Sequence, residues 1–215
     1  MKTVAIFDFC DTIVGLQSAD RFIEFVSATR PTRLAGTIDL IWRPLKKRHL
    51  MPNWIGKRMI ALKLRGLPEK DMPAIVNKYV EEILIPAQHP GIIAKLQAHL
   101  DKGDQVIIAS AGYSPYIKEF ARRLGITHIA ATDLKIKRGL YSGRFDGLNC
   151  YGKNKIIKLK NLLELSEINK ADSHVYSDDL SDKPLFDLVN HKHLVISERQ
   201  NKTEVPDGYQ VLRLF

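Results

Sequence analysis

Two rhythms of apolar and polar positions divide the chain. Val4-Ala5-Ile6-Phe7 is a continuous apolar run closed by Asp8, which predicts a short buried strand with a carboxylate at its C-terminal end. From about Ser18 to Pro86 the period becomes helical. Phe22, Phe25 and Val26 fall at i, i+3 and i+4, and Pro68-Glu69-Lys70 opens a helix carrying Ile75, Tyr79, Val80 and Ile83. Pro31, Pro44, Pro52 and Pro68 cut this stretch into several short helices, with no strand among them.

After Pro90 strands and helices alternate. Ile92–Leu100 reads as a helix, Gln105–Ala109 as a buried strand ending at Ser110, Ser114–Leu124 as a helix and Ile126–Ala130 as a strand. Lys135–Phe145 alternates and contains Gly139 and Gly143, which predicts a β-hairpin flap. A helix over Lys153–Leu165, a strand over Ser173–Tyr176, a helix over Lys183–Val189 and a strand over His193–Ile196 follow. This order predicts an α/β fold, a parallel sheet interrupted by an all-helical insertion. The expected division is a core of residues 1–16 and 87–215 with a helical cap over 17–86. Ligands of such sheets bind beyond the carboxyl ends of the strands. The polar clusters fall there: Asp8, Ser110, and Asp178 with Asp182.

A length of 215 residues is enough for one core with an insertion. No run of 18 apolar residues and no signal-like N-terminus is seen, and Cys10 and Cys150 are the only cysteines. A cytoplasmic protein without a disulfide framework is the expectation. The net charge of +9 favours anionic partners, and it is concentrated. Arg30, Arg33, Arg43, Lys46, Lys47, Arg48, Lys57, Arg58, Lys63 and Arg65 face a single acid, Asp39, between positions 30 and 65. That bias suits a polyanionic substrate or an acidic lipid surface. No zinc spacing or stacking-aromatic pattern points to nucleic acid. The histidines, among them His89, His128, His191 and His193, lack metal-ligand spacing.

Phosphoryl transfer on carboxylates needs a nucleophile, a metal to offset anion repulsion, and donors on the phosphate oxygens. Asp8 at a strand end, the hydroxyls of Thr12 and Ser110, Lys155 three residues after Gly152, and Asp178 with Asp182 supply each part. In this order the set resembles the haloacid dehalogenase superfamily. Asp8 with Thr12 resembles its D-x-D-x-T motif, Ser110 the second motif, Gly152-Lys153-Asn154-Lys155 the third, and Asp178-Asp179-Leu180-Ser181-Asp182 the D-x-x-x-D of the fourth. The helical insertion after the first strand resembles the phosphoserine phosphatase subgroup. The resemblance implies a Mg²⁺-dependent phosphatase or phosphotransferase acting on a small phosphorylated substrate. It makes Asp8 the nucleophile, and Thr12, Ser110 and Lys155 the phosphate holders. Asp8, Asp178 and the backbone carbonyl of Cys10 become metal ligands, with Asp182 in support.

Cys10 departs from the family pattern, which places an acid/base aspartate there. Proton transfer of that kind is worth roughly 10²–10⁴ in rate. Asp11 sits one residue off, and in an extended segment neighbouring side chains point to opposite faces. Three readings stand: a substrate whose leaving group needs little protonation, a substrate group or water as its own acid, or a catalytically impaired protein that binds a phosphorylated ligand without turnover. Asp179 stays open, since the loop needs Asp178 and Asp182 and leaves Asp179 free to neighbour a helix N-cap. Gln17, nine residues after Asp8, replaces the Glu with which phosphoserine phosphatases read the substrate ammonium, and counts against phosphoserine.

Overall fold

A computed structural model describes residues 1–30, 38, 53–197 and 205–214. The basic run from Arg30 to Arg65 lies in large part outside the described residues. Six strands form one parallel sheet: β1 Val4–Phe7, β2 Gln105–Tyr113, β3 His128–Thr132, β6 His174–Ser177, β7 His191–Ser197 and β8 Tyr209–Leu214. Their order is β3-β2-β1-β6-β7-β8, and β4 Leu134–Lys137 with β5 Leu140–Phe145 make a separate antiparallel hairpin. The α/β expectation is met.

Alternation along the strands feeds two cores. Ala5, Phe7, Val106 and Ile108 pack on one face, with α4 (Pro90–Asp101) and α5 (Ser114–Arg123). Val4, Ile6, Ile107 and Ala109 pack on the other, with α6 (Lys153–Leu159) and α7 (Lys183–Phe186). The segment between β1 and β2 is helical where it is described: α1 Ser18–Thr29, α2 Asn53–Ala61, α3 Met72–Tyr79 and a π turn at Val80–Leu84. Phe22, Val26, Tyr79 and Val80 turn inward as the periodicity predicts and join Phe9, Tyr113 and Tyr116 in the first core, while Phe25, Ile75 and Ile83 are only partly buried against it and Val76, outside the predicted face, is buried.

Several boundaries differ from the sequence reading. Strand β2 does not stop at Ser110 but runs on to Tyr113, slipping register against β3 between Ala109 and Tyr113. Gly112 permits this, because a Cβ there would lie 2.6 Å from the Tyr116 hydroxyl. Helix α6 ends at Leu159 rather than Leu165, as Asn161 N to Lys158 O and Leu162 N to Leu159 O wind the chain into a tighter turn. The edge strand β8 was not anticipated; its residues are half-buried or exposed and carry no clean pattern.

The hairpin turns at Arg138-Gly139, both at positive φ, the geometry of a tight two-residue loop. Gly143 comes so close to the helical segment that a Cβ would stand 2.8 Å from Leu62 Cα. Gly66 N donates to Tyr141 O, Tyr141 N to Leu67 O, and Glu69 N to Gly139 O, so the flap is stitched to that segment.

On one face of the sheet, cross-strand register stacks rings. Tyr176 lies 4.4 Å from Phe7 and 4.3 Å from His193, both nearly parallel, and His174 stacks at 4.4 Å on His191. His174 Nδ1 and His193 Nε2 are 3.0 Å apart and share one proton. Burial, with His99 and His191 nearby, pushes His174 down to about 4; burial, with His174 and Lys95, pushes His193 to about 3. In the unfolded chain both take up protons near pH 6.5. Stability from this stack is therefore complete above about pH 6.5 and is lost as pH falls towards 4 and then 3. Denaturant titrations are expected to show about 2 kcal/mol lost between pH 7 and pH 5, allowing for solvent screening at half-buried His174. His193→Phe, which keeps a ring on Tyr176, should flatten that slope. An unchanged slope would place the acid sensitivity elsewhere.

Candidate active site

Register brings the polar strand ends together. Phe7 pairs with Ile108 on one side and Tyr176 on the other, so Asp8 stands next to the first residues beyond those partners. Asp8 N donates to Tyr176 O at 2.8 Å, which fixes its backbone as the strand ends. Asp8, Asp178 and Asp182 are all nine-tenths or more buried, and so is Lys155.

Lys155 reaches this point from the far side of the sheet. Gly152 precedes α6 at φ 53° and ψ −129°, a conformation that only glycine adopts without strain, and sets the helix so that Lys155 points inward. Its Nζ donates to Asp8 Oδ1 and Asp182 Oδ2, both at 2.6 Å. Ser177 Oγ also donates to Asp182 Oδ2, at 2.7 Å. Thr12 accepts from Asp178 N at 3.0 Å and its hydroxyl donates to Asp178 Oδ1 at 3.3 Å. Ser110 Oγ accepts from Gly112 N at 2.8 Å, which leaves its own hydrogen to donate. Asp179 accepts from Ser181 N at 2.8 Å and is itself the N-cap of the turn Leu180–Asp182, a role the sequence left open.

Three buried carboxylates against one ammonium leave an excess of negative charge. Burial pushes Asp8 up to about 7, with Asp182 and Asp178 adding to the shift and Lys155 opposing it. Burial works to lower Lys155, but Asp8 and Asp182 outweigh it and hold the ammonium well above its ordinary range. A hard dication would relieve this imbalance, and Asp182 Oδ1 is a buried acceptor with no hydrogen-bond partner among the described residues. No three Asp, Glu, His or Cys side chains among the described residues converge on one point. A Mg²⁺ ion, which keeps several waters, fits this set through two carboxylates and a backbone carbonyl.

Cys10 is enclosed by hydroxyls that the sequence did not single out. Its Sγ accepts from Ser18 N at 3.4 Å and lies 3.1 Å from Ser18 Oγ, which in turn meets the Tyr116 hydroxyl at 2.8 Å. Burial and then Asp8 push the thiol up to about 11. The segment after Phe9 is a turn, not an extended strand: Ile13 N and Val14 N both return to Phe9 O, and Asp11 takes φ 53°. Asp11 is accordingly turned to Gln17, whose Nε2 donates to its carboxylate at 2.6 Å.

One further side chain enters from the helical segment. Lys57 on α2 donates to the carbonyl of Ala111, next to Ser110, and to Asn149 Oδ1 at 2.9 Å. It lies 5.5 Å from the centre of the Tyr113 ring and 5.9 Å from that of Phe145. Burial lowers it to about 8. In the sequence it was one of ten basic residues with no spacing to set it apart.

The haloacid dehalogenase-like hydrolase family matches residues 5–187, and the chain belongs to it. Among its relatives, a probable phosphatase of Mycobacterium tuberculosis is 29% identical over 140 residues, covering 65% of this chain and 48% of that protein. A phosphoserine phosphatase of the same organism is 25% identical over 194 residues, covering 88% of this chain and 63% of its own length. The chain thus spans 48% and 63% of the lengths of these two relatives. A solved structure of a protein of unknown function from Bordetella pertussis shares the fold over 100% of both chains, with a TM-score of 0.82 at 21% identity.

Proposed function

We propose that the protein is a phosphatase or phosphotransferase that moves the phosphoryl group of a small phosphate ester onto Asp8 and then to water. The observation that carries this is the buried Asp8–Lys155–Asp182 set at the strand ends, 2.6 Å apart on both sides of the lysine. Asp8 presents a carboxylate rigidly for attack on phosphorus. Lys155 and the hydroxyl of Ser110 would donate to the phosphate oxygens, where charge is redistributed during transfer, whereas the one hydrogen of Thr12, expected from the sequence to hold phosphate, is given to Asp178 Oδ1 and braces that carboxylate instead. Asp182 and Ser177 keep Lys155 in place. Asp8, Asp178 and the carbonyl of Cys10 would hold Mg²⁺, which offsets the repulsion between carboxylate and phosphate. Residues 17–86 act in this reading as the cap over the site, joined to the core where Ser18 Oγ meets the Tyr116 hydroxyl and Lys57 donates to Ala111 O. The neutral Gln17 counts against phosphoserine, so the proposed substrate is a phosphate ester without that ammonium. A cytoplasmic setting accords with two free thiols, and no helix among the described residues is long and apolar enough to cross a membrane.

The competing reading, binding without turnover, rests on Cys10 alone, a thiol turned to Ser18 and held protonated at neutral pH. Trapping separates the two. Acid quenching during incubation with a phosphate ester labelled in phosphorus and Mg²⁺ should leave a hydroxylamine-sensitive label that peptide mapping places on Asp8. Label that binds but never becomes covalent would decide for the competing reading.

A further inference from the structure

We propose that Lys57 is the proton donor and acceptor of this site, supplying from the helical segment what no carboxylate supplies at position 10. The inference rests on the phosphoryl-transfer reading above and concerns its leaving group.

The argument starts from the three N–H bonds of an ammonium. Two are spoken for, by Ala111 O and Asn149 Oδ1. Both acceptors belong to the core and lie on the Ser110 side of the site. Asn149 is itself held, since Thr132 Oγ1 lies 3.0 Å from its Oδ1. The rings of Tyr113 and Phe145 flank the same nitrogen. The remaining N–H is the one position on Lys57 that changes when a proton leaves. As a neutral amine, Lys57 keeps two N–H bonds for the same two anchors and offers a lone pair where the third stood. The side chain can give and take a proton without moving.

The groups that face it support this placement. Cys10, Cys150, Asp20 and Lys155 are the titratable groups close enough to act electrostatically on the nitrogen, and the thiol of Cys10 is neutral where Lys57 titrates. Ala111, which takes one of its protons, directly follows Ser110, so Lys57 is anchored on the phosphate-holding side of the site. Burial lowers its affinity for protons to a midpoint of about 8, close to neutral operating conditions, where a general acid and base works best. The thiol of Cys10, turned to Ser18, needs no proton-transfer role.

The steps balance. An Asp8 carboxylate oxygen bonds to phosphorus as the ester P–O bond breaks, and the departing alkoxide takes the free proton of Lys57, leaving an alcohol and a neutral amine. Water then attacks phosphorus, the Asp8–phosphorus bond breaks, and the water's proton returns to the amine. Inorganic phosphate, the carboxylate and the ammonium remain.

Leaving-group dependence tests the proposal. Glycerol phosphate, whose alkoxide must be protonated, and 4-nitrophenyl phosphate, whose phenolate need not be, would be compared by kcat/KM. In Lys57→Ala and Lys57→Arg the alkyl-to-aryl ratio is expected to fall by roughly 10²–10⁴ relative to wild type. Added ethylamine should restore part of the alkyl rate in Lys57→Ala only. The arginine variant keeps a cation but cannot release its proton. Equal losses on both esters would show that Lys57 binds or positions, and would overturn the proposal, as would no loss at all. Asp8→Asn distinguishes the underlying reading: if it cleaves either ester as wild type does, or if wild type cleaves neither, the phosphoryl-transfer reading itself fails.

Discussion

Replacing Asp8 by asparagine is expected to lower Mg²⁺-dependent phosphate release roughly 10⁴- to 10⁶-fold, the scale on which loss of a nucleophile acts. The fold should survive the change. In the wild-type protein the Asp8 carboxyl is buried beside Asp182 and Asp178, and its affinity for protons is raised to about 7. The pocket thus tolerates a neutral group there, and an amide of the same shape removes part of the negative excess. What is lost is the charge-assisted bond from Lys155, which keeps its second partner, Asp182, at 2.6 Å. Thermal melting beside the activity assay checks both halves. Activity retained in the variant would move the nucleophile elsewhere; activity lost together with the melting transition would mean that Asp8 is structural.

How much of this was visible in the amino-acid sequence depended on whether a signal was local. The strands β1, β2 and β6 announce themselves as buried runs, and each run gives way to a polar residue, Asp8, Ser110 or Ser177, at the end where the site lies. Asp8, Ser110, Asp178 and Asp182 were legible for that reason, and Lys155 because Gly152 marks the start of its helix. The hairpin was legible from its glycines. Strand β8 was not, since at the sheet edge Tyr209–Leu214 is neither buried nor regularly alternating. Asp11 was set aside on the alternation of an extended strand, and the side chain does turn to Gln17. The cause is different: a turn that closes on Phe9 O and puts Asp11 at positive φ. Lys57 was hidden for a third reason. Its partners Ala111 and Asn149 are 54 and 92 residues away, and only the packed helical segment selects one lysine from a run of basic residues. The hydroxyls of Ser18 and Tyr116 around Cys10, 98 positions apart, belong to the same class.

The largest expected change in stability comes from Lys155→Met, which removes the ammonium and keeps the length of the side chain. Breaking a buried ion pair from one side costs about 3–5 kcal/mol, because the partner charge is left buried and unpaired. Here two carboxylates lose their partner at once, Asp8 and Asp182, with Asp178 close by. The pH dependence should identify the cause. Without Lys155 the group that lowers the Asp8 pKa is gone, so the folded carboxyl holds its proton more firmly than the value of about 7 in the wild-type protein. A carboxyl raised in the folded state contributes stability that is present below its unfolded value near 4 and is lost as pH rises through the folded value. Lys155→Met should therefore be weakest at pH 8 and recover towards pH 5.5. The histidine stack works in the opposite direction, so the recovery is best read as the difference between variant and wild type in denaturant titrations at each pH. Mg²⁺ should narrow that difference at pH 8, since an ion that binds only the folded state stabilises it by mass action. A deficit independent of both pH and Mg²⁺ would mean that Lys155 matters for packing alone, and that the carboxylates at the strand ends are not the charged cluster a phosphoryl group would meet.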